Sequence, residues 1–305
     1  SLSPRLVGQD PFNIEAILAL VEEAAPKHPA TMAALDMALY DLMGKALQVP
    51  VHRLLGGKIR EGMSLYPIIF MGEPEEMAEW ASQYAELGFT ILKLKIGSDP
   101  EEDEERVARV REAAGTPIRL RLDVNQGWQT PEKALAAIQR ILQYRPELIE
   151  QPVAAEDLDG LAEVTAKVAV PIMVDEGCRT PAEAITVVQK GAADIINIKL
   201  MKCGGIYRAT QINAIAEAAG LPCILGSNSE TTIATSAGMH LVAAKTNIYA
   251  CELFGPLLLK KDIASGFEVD LATGWAKVPQ GPGLGVSLLE PDRDVVESSS
   301  YSAEV

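Results

Sequence analysis

From residue 64 onward, short apolar runs alternate with amphipathic stretches. The runs cover residues 65–70, 91–96, 118–124, 148–150, 171–174, 195–200, 222–225 and 248–254. Between them lie stretches at 75–87, 101–114, 131–144, 158–168, 181–190, 206–219 and 230–244. Within these stretches apolar side chains recur every three or four positions, as at Val107, Val110 and Ala114, which is the period of a helix. The short apolar runs read as strands. Strand alternating with helix predicts a parallel sheet with its helices packed outside. Eight units of about 25 residues favour a closed barrel, with an open doubly wound sheet as the competing arrangement.

The two ends follow other patterns. Residues 13–25 and 31–46 have helical periodicity and no strand before them. The tail from Ile263 sets Gly266, Gly274, Gly281, Gly283 and Gly285 among short apolar pieces such as 267–269, and predicts extended and turn structure. The expected organisation is a helical region over 1–62, the barrel over 63–262, and a segment over 263–305 that returns to the first region.

Composition narrows the function. Of 305 residues 48% are hydrophobic, enough for a large core, and the formal charge is −15. An acidic surface is unsuited to gripping phosphates, so a nucleic-acid partner is excluded. No apolar run reaches the ~20 residues of a membrane helix. Ser1 to Asp10 show no signal-peptide pattern, so the cytoplasm is the expected compartment. Cys178, Cys203, Cys223 and Cys251 are far apart and read as four reduced thiols.

The candidate chemistry lies where the runs end, because the C-terminal ends of barrel strands carry catalytic groups. The second run offers Lys93 and Lys95, on one face of a strand. The third offers Asp123 and Asn125, the fourth Glu150, the fifth Asp175 and Glu176, the sixth Lys199, the eighth Glu252. From Lys95 the steps to Asp123, Glu150, Asp175 and Lys199 are 28, 27, 25 and 24 residues, one strand–helix unit each. Three neighbouring carboxylates repel unless a hard cation sits among them, and Mg²⁺ prefers oxygen ligands. Such a cation stabilises the enediolate formed when a proton is lost α to a carboxylate. A lysine whose pKa is depressed by neighbouring positive charge, here Lys93 and the cation beside Lys95, takes that proton.

These residues resemble the enolase superfamily, in its mandelate racemase and muconate-lactonizing branch. Residues 33–41 with Gly44-Lys45 resemble the helix leading from that family's capping domain. Leu54-Leu55-Gly56-Gly57 resembles the connector into the barrel, and Gly283-Leu284-Gly285 the closing turn. Lys93-Leu94-Lys95 matches the Lys-x-Lys motif, whose second lysine is the usual base. Asp123, Glu150 and Asp175 match the metal ligands and Lys199 the lysine of the opposite face. The resemblance implies a (β/α)7β TIM-like barrel with a partial α+β capping domain, Mg²⁺ or Mn²⁺ as cofactor, a small carboxylate substrate and self-association. The family begins with a three-stranded sheet and a covering loop, and this chain starts after that point.

Lys199 stands where mandelate racemase uses a histidine–aspartate dyad. The Asp-x-Asp pair of dipeptide epimerases is absent from Cys251-Glu252-Leu253-Phe254. Residues 252–259 resemble muconate cycloisomerases, and Gly226-Ser227-Asn228 a wider set of muconate-lactonizing-like enzymes. The leading expectation is therefore a muconate-cycloisomerase-like isomerase with Lys93, Lys95, Lys199 and Glu252 as catalytic groups. A racemase or epimerase of an N-acylated amino acid or dipeptide is the alternative, and a non-catalytic truncated barrel the third reading. Asn125, Glu176, Ser227 and Asn228 are expected to support ligands or meet substrate.

Each residue also has a plain reading. A lone Lys-x-Lys is ordinarily an exposed edge, and one acid at a strand end a helix cap. Lys202 reads equally as a solvated loop charge. His28, His52 and His240 fall at no strand end and read as structural. What separates the set from accident is its register.

Overall fold

The computed structural model describes residues 2–289 of the chain. It opens with α1 (Ser3–Leu6), α2 (Ile14–Ala24), α3 (Pro29–Ala46) and α4 (Val51–Leu54), followed by β1 (Gly62–Ser64). On α2, Ile17, Leu18 and Val21 form one stripe and bury against Met32 of α3.

The barrel units follow: β2 (Ile68–Ile69), α5 (Pro74–Glu86), β3 (Ile91–Lys95), α6 (Pro100–Ala114), β4 (Arg119–Asp123), α7 (Pro131–Ile141), β5 (Leu148–Glu150), α8 (Leu158–Lys167), β6 (Ile172–Val174), α9 (Pro181–Lys190) and β7 (Ile195–Ile198). Then come α10 (Leu200–Cys203), α11 (Ile206–Ala218), β8 (Cys223–Leu225), α12 (Thr232–Ala244) and β9 (Ile248–Cys251). Proline opens α5, α6, α7 and α9, where its fixed φ suits the first turn and its missing N–H costs nothing. Asp99, Thr130, Asp157 and Thr180 cap the helices that follow them, Thr180 in a reciprocal capping box with Glu183.

Each strand from β2 to β9 pairs in parallel with the next, so the open-sheet alternative is set aside. Among the described residues no backbone ladder joins β9 to β2. Side chains bridge that seam, since Tyr66 Oη donates to Glu252 Oε1 at 2.9 Å. Tyr66, just before β2, and Leu148, Met173, Ile195, Ile224 and Ala250 of β5 to β9 bury together in one layer, which requires the sheet to curl on itself. The architecture is a (β/α)7β barrel.

Several short elements went unrecognised in the apolar pattern, α1 and α4 among them. The run 195–200 ends as strand at Ile198, and Leu200 begins α10. The run 248–254 ends as strand at Cys251, ahead of α13 (Gly255–Leu258). β1 lies before the first run. After β7, Leu200 and Cys203 stay buried past the last ladder bond, so apolar composition continues into α10.

The closing segment adds β10 (Ala264–Ser265), β11 (Val269–Asp270), β12 (Trp275–Lys277) and β13 (Ser287–Leu288). β1, β12 and β11 form an antiparallel sheet in that order. The chain then returns to α3. Leu284 N donates to Asp41 Oδ1 at 2.8 Å, and a Cβ on Gly44 would lie 2.6 Å from Gly283 Cα. Only glycine permits that approach. The four cysteines are free and buried, and among the described residues no helix is long and apolar enough to cross a membrane.

Candidate active site at the mouth of the barrel

Strand register builds the site. Lys95 pairs with Asp123 across β3 and β4, and Asp123 pairs with Glu150 across β4 and β5, so three of the expected residues share one row. Asp175 follows β6, Lys199 follows β7 and Glu252 follows β9. Side chains on a strand alternate between faces, so Lys93 and Lys95 both point inward, with Lys93 one layer deeper.

Lys93 is 1% exposed. Its Nζ lies 2.9 Å from Asp123 Oδ2, 2.5 Å from Glu150 Oε2 and 2.9 Å from each Glu252 oxygen. Burial disfavours the ammonium, but Asp123, Glu150 and Glu252 outweigh it and hold the pKa well above the ordinary lysine value. Lys93 is a fixed cation under the site. Lys95 Nζ lies 2.6 Å from Asp123 Oδ2 and 2.6 Å from Asn125 Oδ1. Asn125 Nδ2 donates in turn to Glu176 Oε1 at 3.0 Å, which fixes which way the amide points.

Across the mouth, Lys199 Nζ lies 2.6 Å from Asp175 Oδ2, and Lys202 Nζ lies 2.7 Å from Asp175 Oδ1. Burial would raise the Asp175 carboxyl, but Lys202 and Lys199 carry it far below the usual carboxylate range. Burial would lower Lys199, and the charges of Asp175 and Glu150 instead raise it. Burial likewise opposes ionisation of Asp123, yet Lys93 and Lys95 keep its carboxyl below its ordinary value. Glu150 goes the other way. Burial and the adjacent Asp123 push it well above its ordinary value despite Lys93.

The chemistry of this donor set fits a hard divalent cation. Asp123, Glu150 and Asp175 are 0–1% exposed, they rise from successive strand ends, and the Glu150 carboxyl is held above its ordinary value while those of Asp123 and Asp175 are held below theirs. Glu150 Oε2 also has no hydrogen-bond partner, since Lys93 is near it but poorly aligned. Among the described residues no three His, Cys, Asp or Glu side chains already converge as a ligand cluster. The ammonium of Lys93 stands among these carboxylates.

The cleft above has a volume of about 390 Å³, the size of a small-molecule site. Lys93, Lys95, Asn125, Asp175, Glu176, Lys199, Asn228 and Glu252 all line it. Ser227 lines it too, accepting from Ser229 N at 2.9 Å and bonding to Glu230. Glu252, at the base of the cleft, is engaged by Tyr66 and Lys93.

Four contributors were missed or undervalued. Lys202 is a half-buried three-way donor, to Asp175 Oδ1, Asp175 O and Asn197 O, rather than a solvated charge. Its position three residues after Lys199 on one helical turn was the available signal. Asn197 Nδ2 holds Glu150 Oε1 at 2.8 Å and sits two residues before Lys199, on the same face. Tyr66 and the cleft residue Arg179 carried no sequence signal of comparable strength.

Two family models match the chain. The family described as mandelate racemase/muconate lactonizing enzyme, N-terminal domain, matches residues 1–56, and the one described as enolase C-terminal domain-like matches 76–293. An N-succinyl-L-Arg/Lys racemase of Bacillus cereus is 39% identical over 95% of this chain and 78% of its own length; its crystal structure superposes with a TM-score of 0.92, covering 98% of this chain and 79% of that one. A hydrophobic dipeptide epimerase of Enterococcus faecalis is 43% identical over 92% of this chain and 79% of its own. Its structure with Mg and the dipeptide L-Leu-L-Tyr has a TM-score of 0.89, covering 94% of this chain and 80% of that one. Muconate cycloisomerase 1 of Rhodococcus opacus is 37% identical over 93% of this chain and 77% of its own length.

Proposed function

Since the chain belongs to the mandelate racemase/muconate lactonizing enzyme family of the enolase superfamily and is an isomerase, we propose that it racemises or epimerises an N-acylated amino acid by moving the proton α to the carboxylate. The observation that carries this reading is the placement of two lysines at opposite ends of one carboxylate row, Lys95 on Asp123 and Lys199 on Asp175. Asp123, Glu150 and Asp175 would hold Mg²⁺ (Mn²⁺ has the same ligand preference), and the ion would lend positive charge to the substrate carboxylate.

Charge accounting supports the proton movement. Asp123, Glu150, Asp175 and Glu252 oppose Lys93, Lys95, Lys199 and Lys202, four against four when all are ionised. A bound divalent cation would give that balanced set a surplus of positive charge. The surplus favours an anionic substrate and favours one neutral lysine. Lys95 or Lys199 then takes the α-proton from its own side, and the other returns a proton from the opposite side, which inverts the centre. Lys93 stays charged and keeps the carboxylate row in place. Asn125 holds Lys95 at its amine, and Lys202 holds Asp175.

An acylated nitrogen suits the site better than a free amine. Glu252, the acid at the eighth strand end, is bound by Lys93 and Tyr66 and is 1% exposed, so it offers no anion to a substrate ammonium. The test is α-proton exchange in D₂O with Mg²⁺ present. Deuterium should enter both enantiomers of an N-acyl amino acid, and a broad N-acyl library showing none would end the reading.

A second reading is a muconate-lactonizing reaction. Residues 252–259 and the 37% identity to the Rhodococcus opacus enzyme favour it. Lactone formation from a cis,cis-dienedioate, followed by its ultraviolet absorbance, would select it over the first.

A further inference from the structure

The two lysines at the ends of the carboxylate row are backed by different parts of the chain. Behind Lys95, Asp103 of α6 is 0% exposed and accepts from Gly97 N at 3.0 Å and from Trp128 Nε1 at 2.9 Å, with Arg106 Nη1 3.1 Å from its other oxygen. All of these residues belong to the barrel. Behind Lys199 stands α3, from the helical region that precedes the barrel. Asp36 of α3 is 0% exposed, and its two oxygens accept from Ile206 N and Tyr207 N, the first N–H groups of α11.

Between Lys199 and α11 lie only the four residues of α10 and the pair Gly204-Gly205, whose φ angles are +94° and +107°. Lys199 stands at the start of α10, its backbone oxygen accepting from Lys202 N and Cys203 N at 3.0 Å each. A helix of one turn does not hold itself in water, because ordering its backbone costs more than its first bonds return. What fixes α10 is its surroundings. Lys202 Nζ ties it to Asp175 and to Asn197 O. Against α3 there is no slack: a Cβ on Gly205 would lie 2.3 Å from Asp36 Oδ1, and one on Gly204 would lie 2.9 Å from Met32 Sδ. The Asp36 carboxylate also meets the positive end of the α11 dipole and satisfies N–H groups that have no partner within the helix.

We propose that Asp36 is a positioning residue for Lys199, so that the region preceding the barrel sets proton transfer on one face of the substrate while the barrel by itself sets it on the other. The proposal rests on the proton-transfer reading above. Loss of the Asp36 bonds frees the Gly204-Gly205 turn and α10 to shift, and Lys199 and Lys202 move with them against Asp175. Lys95, held through Gly97 and Asp103, stays in place.

The experiment follows deuterium uptake at the α-carbon of N-acetyl-L-phenylalanine and N-acetyl-D-phenylalanine in D₂O with Mg²⁺. Lys95→Ala and Lys199→Ala first assign one enantiomer to each lysine. Asp36→Ala should lower kcat for the enantiomer of Lys199 by about tenfold, less than the ~10²-fold that a 1 Å misplacement can cost, and leave the enantiomer of Lys95 within about twofold. Asp36→Asn keeps the shape and one acceptor oxygen. It should slow the same enantiomer less, and it decides the case if the alanine variant does not fold. Asp103→Asn should give the opposite bias and slow the enantiomer of Lys95. Unchanged rates in the Asp36 variants, or equal slowing of both enantiomers in proportion to the folded protein, overturn the proposal and leave the proton-transfer reading standing. Slowing of the same enantiomer by the Asp36 and Asp103 variants does so too. A wild-type protein that exchanges neither compound, nor any other member of an N-acyl library, overturns both.

Discussion

Lys202 Nζ meets Asp175 twice, at Oδ1 (2.7 Å) and at the backbone oxygen (2.5 Å). A third bond, to Asn197 O at 2.8 Å, ties the β6 and β7 ends together. One ammonium thus fixes both the position and the orientation of a buried carboxylate that Lys199 also contacts. Lys202→Met removes the charge and all three donors, which leaves Asp175 with one cationic partner. The expected loss is about 3 kcal/mol of stability, since breaking a buried pair exposes the cost of the charge left behind. Urea denaturation checks this, and Lys202→Arg should lose less. A loss below about 0.5 kcal/mol, the range of an ordinary surface change, would mean the contacts are incidental.

Lys95 and Lys199 are expected to act on opposite faces of one carbon. Lys95→Ala should stop α-deuterium uptake from one enantiomer and Lys199→Ala from the other, each lowering racemisation by about 10³-fold. Nuclear magnetic resonance of each pure enantiomer in D₂O separates the two losses. Equal loss of exchange for both enantiomers in either variant would contradict a two-face division.

Asp175→Asn keeps the shape of the side chain and removes its charge. Mg²⁺ affinity should fall by more than about tenfold, because a hard cation loses an anionic oxygen ligand. Titration calorimetry reads this without substrate. Unchanged affinity would exclude Asp175 from the ligand set.

His240 gives a pH dependence of stability away from the site. Its Nε2 faces Leu284 O at 3.2 Å and so carries the proton, while its Nδ1 accepts from His52 N at 3.3 Å and faces His52 Nδ1 at 3.1 Å. Burial holds its pKa down at about 4, against an ordinary 6.5. The unfolded chain therefore takes up a proton that the folded chain refuses. The contribution is fully present above about pH 6.5 and is lost as pH falls toward 4, by about 3 kcal/mol for this group. Denaturation between pH 4 and 8 should show a steeper loss for the native chain than for His240→Gln. Parallel curves would mean that His240 titrates alike in both states.

Gly205 is a packing prediction. Its φ is +107°, and a Cβ there would lie 2.3 Å from Asp36 Oδ1. That oxygen accepts from Ile206 N at 2.5 Å, and Asp36 Oδ2 accepts from Tyr207 N at 3.1 Å, so Asp36 of α3 caps α11 from another part of the chain. Gly205→Ala should cost at least about 2 kcal/mol, from backbone strain together with loss of the cap. Thermal melting checks it, and an unchanged melting temperature would show that Asp36 gives way without cost.

Much of the fold was legible because a barrel strand and its helix have different hydrophobic periods. Residues 148–150 and 181–190 coincide with β5 and α9, which are bounded by Pro, Gly and capping residues. The short turns α10 and α13 were not legible. Their apolar side chains continue the strand composition, and nothing local marks where the ladder stops.

The candidate site divides in the same way. The sequence determined that Lys95, Asp123, Glu150, Asp175 and Lys199 end successive units, because strand period and unit length together fix which way each side chain points. The folded structure decided who meets whom. Lys93 sits beneath three acids, Glu252 is taken by Tyr66 and Lys93, Lys202 is bonded to Asp175, and Arg179 stays free. Those pairings join residues up to 186 positions apart. They depend on the curl that carries β9 round to β2, and no local pattern encodes the distance between two ends of a sheet.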